Sequence, residues 1–517
     1  MVSVIQHRLP LDVFSVVIDI LSSDLDTPAV TRLQTLIALS LSCRLLLEPS
    51  RKGIFREITI RRRLQSRRSF GRNSRRVSRV PQLQQAIAPE PYIAISFEEM
   101  KTLLYDKPFI ANYVRSLTCQ FCSIDYDGTL YSRVLRKFGR LQSLTVMPHT
   151  HILPFDAILD PKRFEAYDSE GNWGSDSEHD EVDEAHEDDW GLDSDYDEAY
   201  DPDDGFWQPD GEHDGVQRFM SWYFMSQPLR NALRKLMGLP TLAFLKLSHI
   251  TNFPTQVLAF SRGLQVLNLS RCQLASIPSG GIILPKDHYR VRLQELRISP
   301  GGKKNVERLK GFLSPRVPVL ELSHMHELSF TIPTEFDVPQ LGELLDGLLH
   351  LETLALTFND FSKSIGQTIA THAHRLANLR NLRIRRGTVR KANFQNTLLS
   401  QVLDSLLSLN KLEEVDIRID AYPTISTVFA TDLEMVALNL SDASMFPELK
   451  SVAITVFWSE DEPEEFPVQV EEEDILEADP FGIWDGFGTT HLAVLVNRKS
   501  VHVSYSVKDI YGRAIAS

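Results

Sequence analysis

The feature that most constrains this chain is a spacing. An aliphatic residue is followed by two more, three and five positions on, in the form L-x-x-L-x-L. The unit recurs as LAFLKL (242–247), LQVLNL (264–269), LQELRI (293–298), VPVLEL (317–322), LETLAL (351–356), LRNLRI (379–384), LEEVDI (412–417) and LKSVAI (449–454). Successive copies begin 22 to 37 residues apart. Upstream, LQSLTV (141–146) fits well, VRSLTC (114–119) fits loosely, and FREITI (55–60) reads as a first copy. Two apolar residues separated by one point to the same side of a strand. The leading leucine enters the same core from just before the strand. The gap leaves room for a turn, a helix and a return; LGELLDGLLH (341–350) and QNTLLSQVLDSLLSL (395–409) carry helical periodicity ahead of the next copy. No single copy can bury its own apolar face, so the array is stable only as a stack. The expected fold class is α/β, with parallel strands on one wall and helices on the other.

The pattern resembles a leucine-rich-repeat solenoid, which implies strands on a concave face and helices on a convex one. Repeats of that family place Asn or Cys nine positions after the first Leu. Here that position reads Ile250, Cys272, Gly301, Met325, Asn359, Gly387, Asp420 and Phe457, so the turns are expected to be irregular. In this register the fifth and seventh positions face concave solvent. The fifth reads Lys246, Asn268, Arg297, Glu321, Ala355, Arg383, Asp416 and Ala453; the seventh reads Ser248, Ser270, Ser299, Ser323, Thr357, Arg385, Arg418 and Thr455. Arginine holds carboxylates and phosphates bidentately. Arg383, Arg385, Arg386 and Arg418 are therefore the candidate substrate-binding residues, solubilising surface charge being the plainer alternative.

Ahead of the repeats stands a short apolar helix. After Leu9-Pro10 it sets Val13, Val16, Val17, Ile20 and Leu21 on one face. A helix this short is marginal alone in water, so it must press on its own chain or on another. Residues 9–60 resemble an F-box domain of the divergent kind found before leucine-rich repeats in fungal proteins. The resemblance rests on Leu9-Pro10, Asp12-Val13, Ile18, Leu21, Leu36, Leu39, Ser42-Cys43-Arg44 and the run Arg51 to Arg56. It implies docking onto the Skp adaptor subunit of a cullin-RING ubiquitin ligase, through Leu9, Pro10, Val13, Val17, Ile18, Leu21, Leu36, Leu39 and Cys43. The alternative is that these helices merely cap the open end of the stack. Pro10 suits a first helical turn, Thr27-Pro28 reads as the start of helix two, and Pro49 is expected to end or kink helix three.

The net charge of −14 is unevenly held. Residues 168–214 contain 21 Asp and Glu and no Lys or Arg, which leaves +7 for the rest. This block reads as a disordered insertion between repeats, expected to fold back over a body (217–458) of 27 bases and 20 acids. Asp193, Asp195 and Asp197 start like a calcium loop, but Glu198 stands where glycine is required. Ser175 and Ser177, with acids three residues on, are candidate phosphorylation sites. Residues 61–79 carry nine arginines and no acid, a linker, import signal or phosphate-binding patch. With few aromatics between them, nucleic-acid binding by stacking is poorly supported. A second acidic run occupies 460–479, and 491–507 alternates like a strand pair. The expected organisation is an F-box-like domain at 1–60, an Arg-rich linker at 61–80 and first irregular repeats at 81–160. An acidic insertion follows at 161–216, then the solenoid at 217–458 and an acidic segment with a C-terminal cap at 459–517.

Four cysteines are too few for a disulfide framework, and Cys119-Gln-Phe-Cys122 is a lone CxxC. No secretory leader or membrane-spanning stretch is read, which points to cytoplasm or nucleus. HExxH, P-loop, GxSxG and GxGxxG motifs are absent. The sequence thus predicts a non-enzymatic chain without cofactor or metal: an F-box/leucine-rich-repeat substrate receptor that binds the Skp adaptor and cullin complex and an unknown protein substrate, with no membrane partner. The other reading is a ligase-independent scaffold whose acidic block binds basic partners such as histones.

Overall fold

The computed structural model describes residues 11–23, 27–61, 93–121, 128–148, 220–275, 291–300, 320–333, 335–358, 362–387, 399–406, 411–421, 426–458, 492–498, 500–509 and 514–516. The acidic block 168–214, the arginine run beyond Arg61, Cys122 and Asn359 lie outside the described residues.

Fourteen strands form one continuous sheet. They are β1 (Glu57–Ile60), β2 (Ile93–Ile95), β3 (Ser116–Phe121), β4 (Ser143–Pro148), β5 (Phe244–Ser248), β6 (Val266–Cys272) and β7 (Glu295–Pro300). The second half is β8 (Glu327–Ile332), β9 (Thr353–Phe358), β10 (Asn381–Arg386), β11 (Glu414–Ala421), β12 (Ser451–Trp458), β13 (His502–Asp509) and β14 (Ala514–Ala516). Every pairing is parallel except the last, where β14 runs antiparallel along β13. The order follows the chain with one exception: β2 lies outside β1, so FREITI supplies the second rung in space and not the first.

The register is that of the leucine pattern. Ile58, Leu117, Leu144, Leu245, Leu267, Leu296, Leu328, Leu354, Leu382, Val415 and Val452 stand side by side and are buried. Each such side chain contributes about 1.5–3 kcal/mol on burial, and each needs both neighbours to be buried. This is why an isolated repeat does not fold.

One copy is reassigned. VPVLEL (317–322) is not a rung: Leu320–Glu321 pairs with Val291–Arg292 in a separate two-stranded ladder. The rung is Met325-x-x-Leu328-x-Phe330, all three buried. Backbone hydrogen bonds fix this. The amides of His326 and Glu327 both donate to the Gln294 carbonyl (2.8 and 3.1 Å), and those of Glu352 and Thr353 both donate to the His326 carbonyl (2.9 Å each). The same forked pattern joins each rung to the next from β1 to β12. Glu321 and Ser323 therefore leave the series expected to face outward, and Ser329 and Thr331 replace them.

Helices line the other wall. These are α4 (Phe97–Asp106), α5 (Gly128–Leu135), α6 (Gln227–Met237), α7 (Val338–Asp346), α8 (Ser362–Thr371), α9 (Leu399–Asp404), α10 (Ser426–Ser441) and α11 (Ala493–Val496). Both sequence-predicted helices are represented: the first ends before Gly347, and within the described residues the second covers Leu399–Asp404. The strand pair expected at 491–507 is instead α11 followed by β13, so the sheet continues past residue 458.

Three further helices precede the sheet: α1 (Leu11–Ser23), α2 (Ala29–Ser42) and α3 (Arg44–Ile54). They pack on one another. Pro49 does not end α3; the helix continues five residues beyond it. Of this group, Ile18 and Leu36 are fully buried, yet neither joins the contiguous core of the repeats, which begins at Ile58.

Candidate functional site

The three-helix unit presents an apolar surface to solvent. Val13, Val16, Val17 and Ile20 of α1 are 40, 56, 45 and 61% exposed. At about 100° per residue they fall within a single arc, whereas Ile18 lies about 140° from Val13. That rotation decides which way each side chain points. Ile18 and Leu36, both expected to meet a partner, turn inward and hold the helices together; they are withdrawn from the docking set. Leu21 and Leu39 are half-buried, Cys43 is exposed, and Leu9 and Pro10 lie outside the described residues. Val30, Ile37 and Leu41 of α2 and Leu45 of α3 extend the exposed apolar area. Of the sixteen large apolar side chains exposed among the described residues, eight lie between Val13 and Leu45. Such concentration marks an interaction surface more often than a free one. Ser22 joins two polar contacts: Arg56 Nη1, just beyond the unit, donates to Ser22 Oγ (3.3 Å), and within the unit Arg32 Nη1 of α2 donates to the Ser22 carbonyl of α1 (3.4 Å).

On the solvent-facing side of the sheet the candidate arginines separate. Arg383 and Arg385 on β10 and Arg418 on β11 point outward, Arg385 and Arg418 being direct neighbours in register. Adjacent strands lie about 4.8 Å apart, so like charges there need bracing. Arg385 Nη2 lies 3.5 Å from Asp420 Oδ2, Arg418 Nη2 lies 2.9 Å from Asp416 Oδ2, and Arg383 Nη1 lies 3.6 Å from Glu327 Oε1. Glu327 also lies 3.8 Å from Arg297, which pairs in addition with Glu295. Burial pushes the Asp420 carboxyl above its ordinary range despite the Arg385 guanidinium beside it.

Arg386 is a correction. It follows Arg385 directly, so strand alternation turns it into the core, where it is 1% exposed. Its Nη1 lies 3.5 Å from Asp432 on α10, which is equally buried. Asp432 also accepts from the Leu399 amide (2.6 Å), the Ser400 amide (3.1 Å) and the Ser400 hydroxyl (2.9 Å), and so caps α9. Arg386 is a structural cation, not a ligand-binding one.

Sequence reasoning missed Glu327 because the misplaced rung hid it. In the correct register it stands beside Glu295 at the third position. Cys119 sits in the inward ladder of β3, and burial pushes its thiol well above the usual range. Cys272, at the end of β6, is likewise pushed up to about 12 by burial. Among the described residues no cluster of His, Cys, Asp and Glu could hold a metal ion, and no helix is long and apolar enough to cross a membrane.

No protein-family model matches the chain, and no curated protein matches it. Among solved structures it is similar to that of a Bacteroides fragilis protein, a structural-genomics target, at 9% identity and a TM-score of 0.26, over 80% of this chain and 72% of that one.

Proposed function

We propose that this chain is a non-enzymatic substrate receptor of a Skp–cullin–F-box ubiquitin ligase, acting in cytoplasm or nucleus. In this reading α1–α3 are an F-box-like unit that docks on the Skp adaptor, and the strand–helix array is a leucine-rich-repeat solenoid that holds a protein substrate. The observation that carries it is the exposed stripe Val13, Val16, Val17 and Ile20 on a helix outside the repeat core. A helix serving only as a cap would turn that stripe toward the first rung. The chain supplies proximity, and the chemistry belongs to other subunits.

Capture of purified Skp adaptor by the full chain tests this. The unaltered chain should retain the adaptor, and Val17→Asp or Ile20→Asp should abolish retention while thermal unfolding stays unchanged. Failure to retain the adaptor, with salt-sensitive capture of histones that depends on residues 168–214, would move the protein to the scaffold reading.

A further inference from the structure

The repeats on either side of residue 149–219 have an unusual charge balance. Residues 128–148 and 220–275 hold ten Lys and Arg and no Asp or Glu. At ordinary usage about ten acids would be expected in a stretch of that size. Six of the bases belong to α5, α6 and the turn after α5: Arg133, Arg136 and Lys137 beside Arg230, Arg234 and Lys235. The two helices are neighbours in the convex layer. A Cβ on Gly128, the first residue of α5, would collide with Ser226 at the start of α6. Successive repeats run parallel, so the basic C-terminal turns also lie side by side.

The concave wall makes the contrast. There Arg297, Arg383, Arg385 and Arg418 each have a carboxylate within salt-bridge distance. Among the described residues none of the six convex bases does. The Nε atoms of Arg230 and Arg234 are buried without a hydrogen-bond acceptor. Burial, followed by the like charge of Arg230, holds the Arg234 guanidinium below its ordinary range, against a smaller opposing effect of Tyr223. Helix-dipole compensation explains bases in the last turns of α5 and α6. It would equally favour acids in their first turns, and both helices have none there. Six bases without a carboxylate partner are therefore gathered on this helical face, whereas the arginines of β10 and β11 on the sheet are paired.

We propose that this face of α5 and α6 docks an acidic polypeptide segment of the substrate. The inference rests on the receptor reading for the word substrate, and on the charge geometry alone for the ligand class. Carboxylates on alternate residues of an extended chain recur about every 6.6 Å. Side chains four apart on a helix are spaced about 5–6 Å, so Arg230 and Arg234 can engage two successive carboxylates. Within the described face Tyr223 is the exposed aromatic beside the patch, too little for successive base stacking.

The test is binding of a fluorescent twenty-residue glutamate peptide to the full chain at low salt, with a poly(dT) oligonucleotide of equal charge as comparison. Both are repeated on the chain lacking residues 168–214, whose own carboxylates are competitors. The peptide should bind at least one of these two proteins, more weakly as salt rises. The exposed triple variant Arg133→Glu, Lys137→Glu, Lys235→Glu should bind at least tenfold more weakly at unchanged helix content. Arg383→Glu with Arg385→Glu should bind as the parent does. Should the triple variant misfold, Arg230→Gln alone is expected to weaken binding severalfold. No peptide binding by either protein, equal binding by the triple variant, or tighter binding of poly(dT) overturns the proposal. Adaptor capture by the triple variant separates its failure from failure of the receptor reading.

Discussion

Replacing Asp432 by alanine removes the partner of a buried arginine and the cap of a helix in one step. Arg386 and Asp432 are 1 and 0% exposed, so neither charge can turn to water when the other is lost. Breaking a buried pair from one side costs about 3–5 kcal/mol. Loss of the acceptor for the Leu399 and Ser400 amides adds about 1 kcal/mol. The two overlap because one carboxylate does both, and about 4 kcal/mol is expected in total. In a stack of repeats such a loss opens the damaged rungs before the rest. Hydrogen exchange of the β10 and β11 amides is therefore the assay, with denaturant unfolding as support. Protection of Leu382 to Arg386 should fall by two to three orders of magnitude, by about tenfold per 1.4 kcal/mol, while β5 and β6 change little. The pair Arg386→Met with Asp432→Leu should recover most of the loss, because an apolar pair leaves no buried charge. The pH dependence has a fixed sign. Burial holds the Asp432 carboxyl above its ordinary range, outweighing the Leu399 and Ser400 amides, the Ser400 hydroxyl and Arg386. The folded state then binds that proton more tightly than the unfolded chain, so this group's stabilisation is present at low pH and lost as pH rises through the folded value. The alanine deficit should be larger at pH 4.5 than at pH 7.5. Protection of β10 unchanged within tenfold would refute the reasoning.

Three further outcomes follow from packing. A Cβ on Gly263 would lie 2.2 Å from the Pro240 carbonyl oxygen, a backbone atom that cannot swing aside, so Gly263→Ala should cost about 2 kcal/mol in denaturant unfolding. Cys43 is exposed and should be alkylated rapidly in the native protein, whereas Cys119 and Cys272 should react only on unfolding, as mass spectrometry of labelled peptides would show. Leu354→Ala, in the inward ladder of β9, should cost about 2–5 kcal/mol and lower protection on both neighbouring strands, whereas Leu349→Ala, at an exposed turn, should change neither.

Much of this architecture is legible in the leucine spacing, because stacking parallel rungs requires the same inward positions in every copy. The exception shows why the pattern alone can mislead. Leu320 and Leu322 repeat the L-x-L spacing and are buried, but Leu320 pairs in a side ladder, while the true rung carries Met325 and Phe330 in two leucine places. Met and Phe fill the same volume without matching the pattern, and only the repeating forked hydrogen bonds separate the two. Copy spacings of 32 and 26 residues replace 24 and 34, so the correct register is also the more even one. Strand parity alone places Arg386 indoors; grouping it with Arg385 by composition obscured that. Ile18 illustrates the same point on a helix, where one position of rotation exchanges a core residue for an exposed one. The pairing of the outward-facing arginines was not legible, since Glu327 and Asp420 reach their partners from different rungs.

The central claim is that the α1 stripe is kept for another subunit. Calorimetric titration of purified Skp adaptor into the full chain measures this most directly. The account predicts saturable binding with a negative heat-capacity change, the mark of apolar burial, and no detectable heat for Val17→Asp at an unaltered melting temperature. Equal binding by that variant, or no binding by the parent chain, would contradict it.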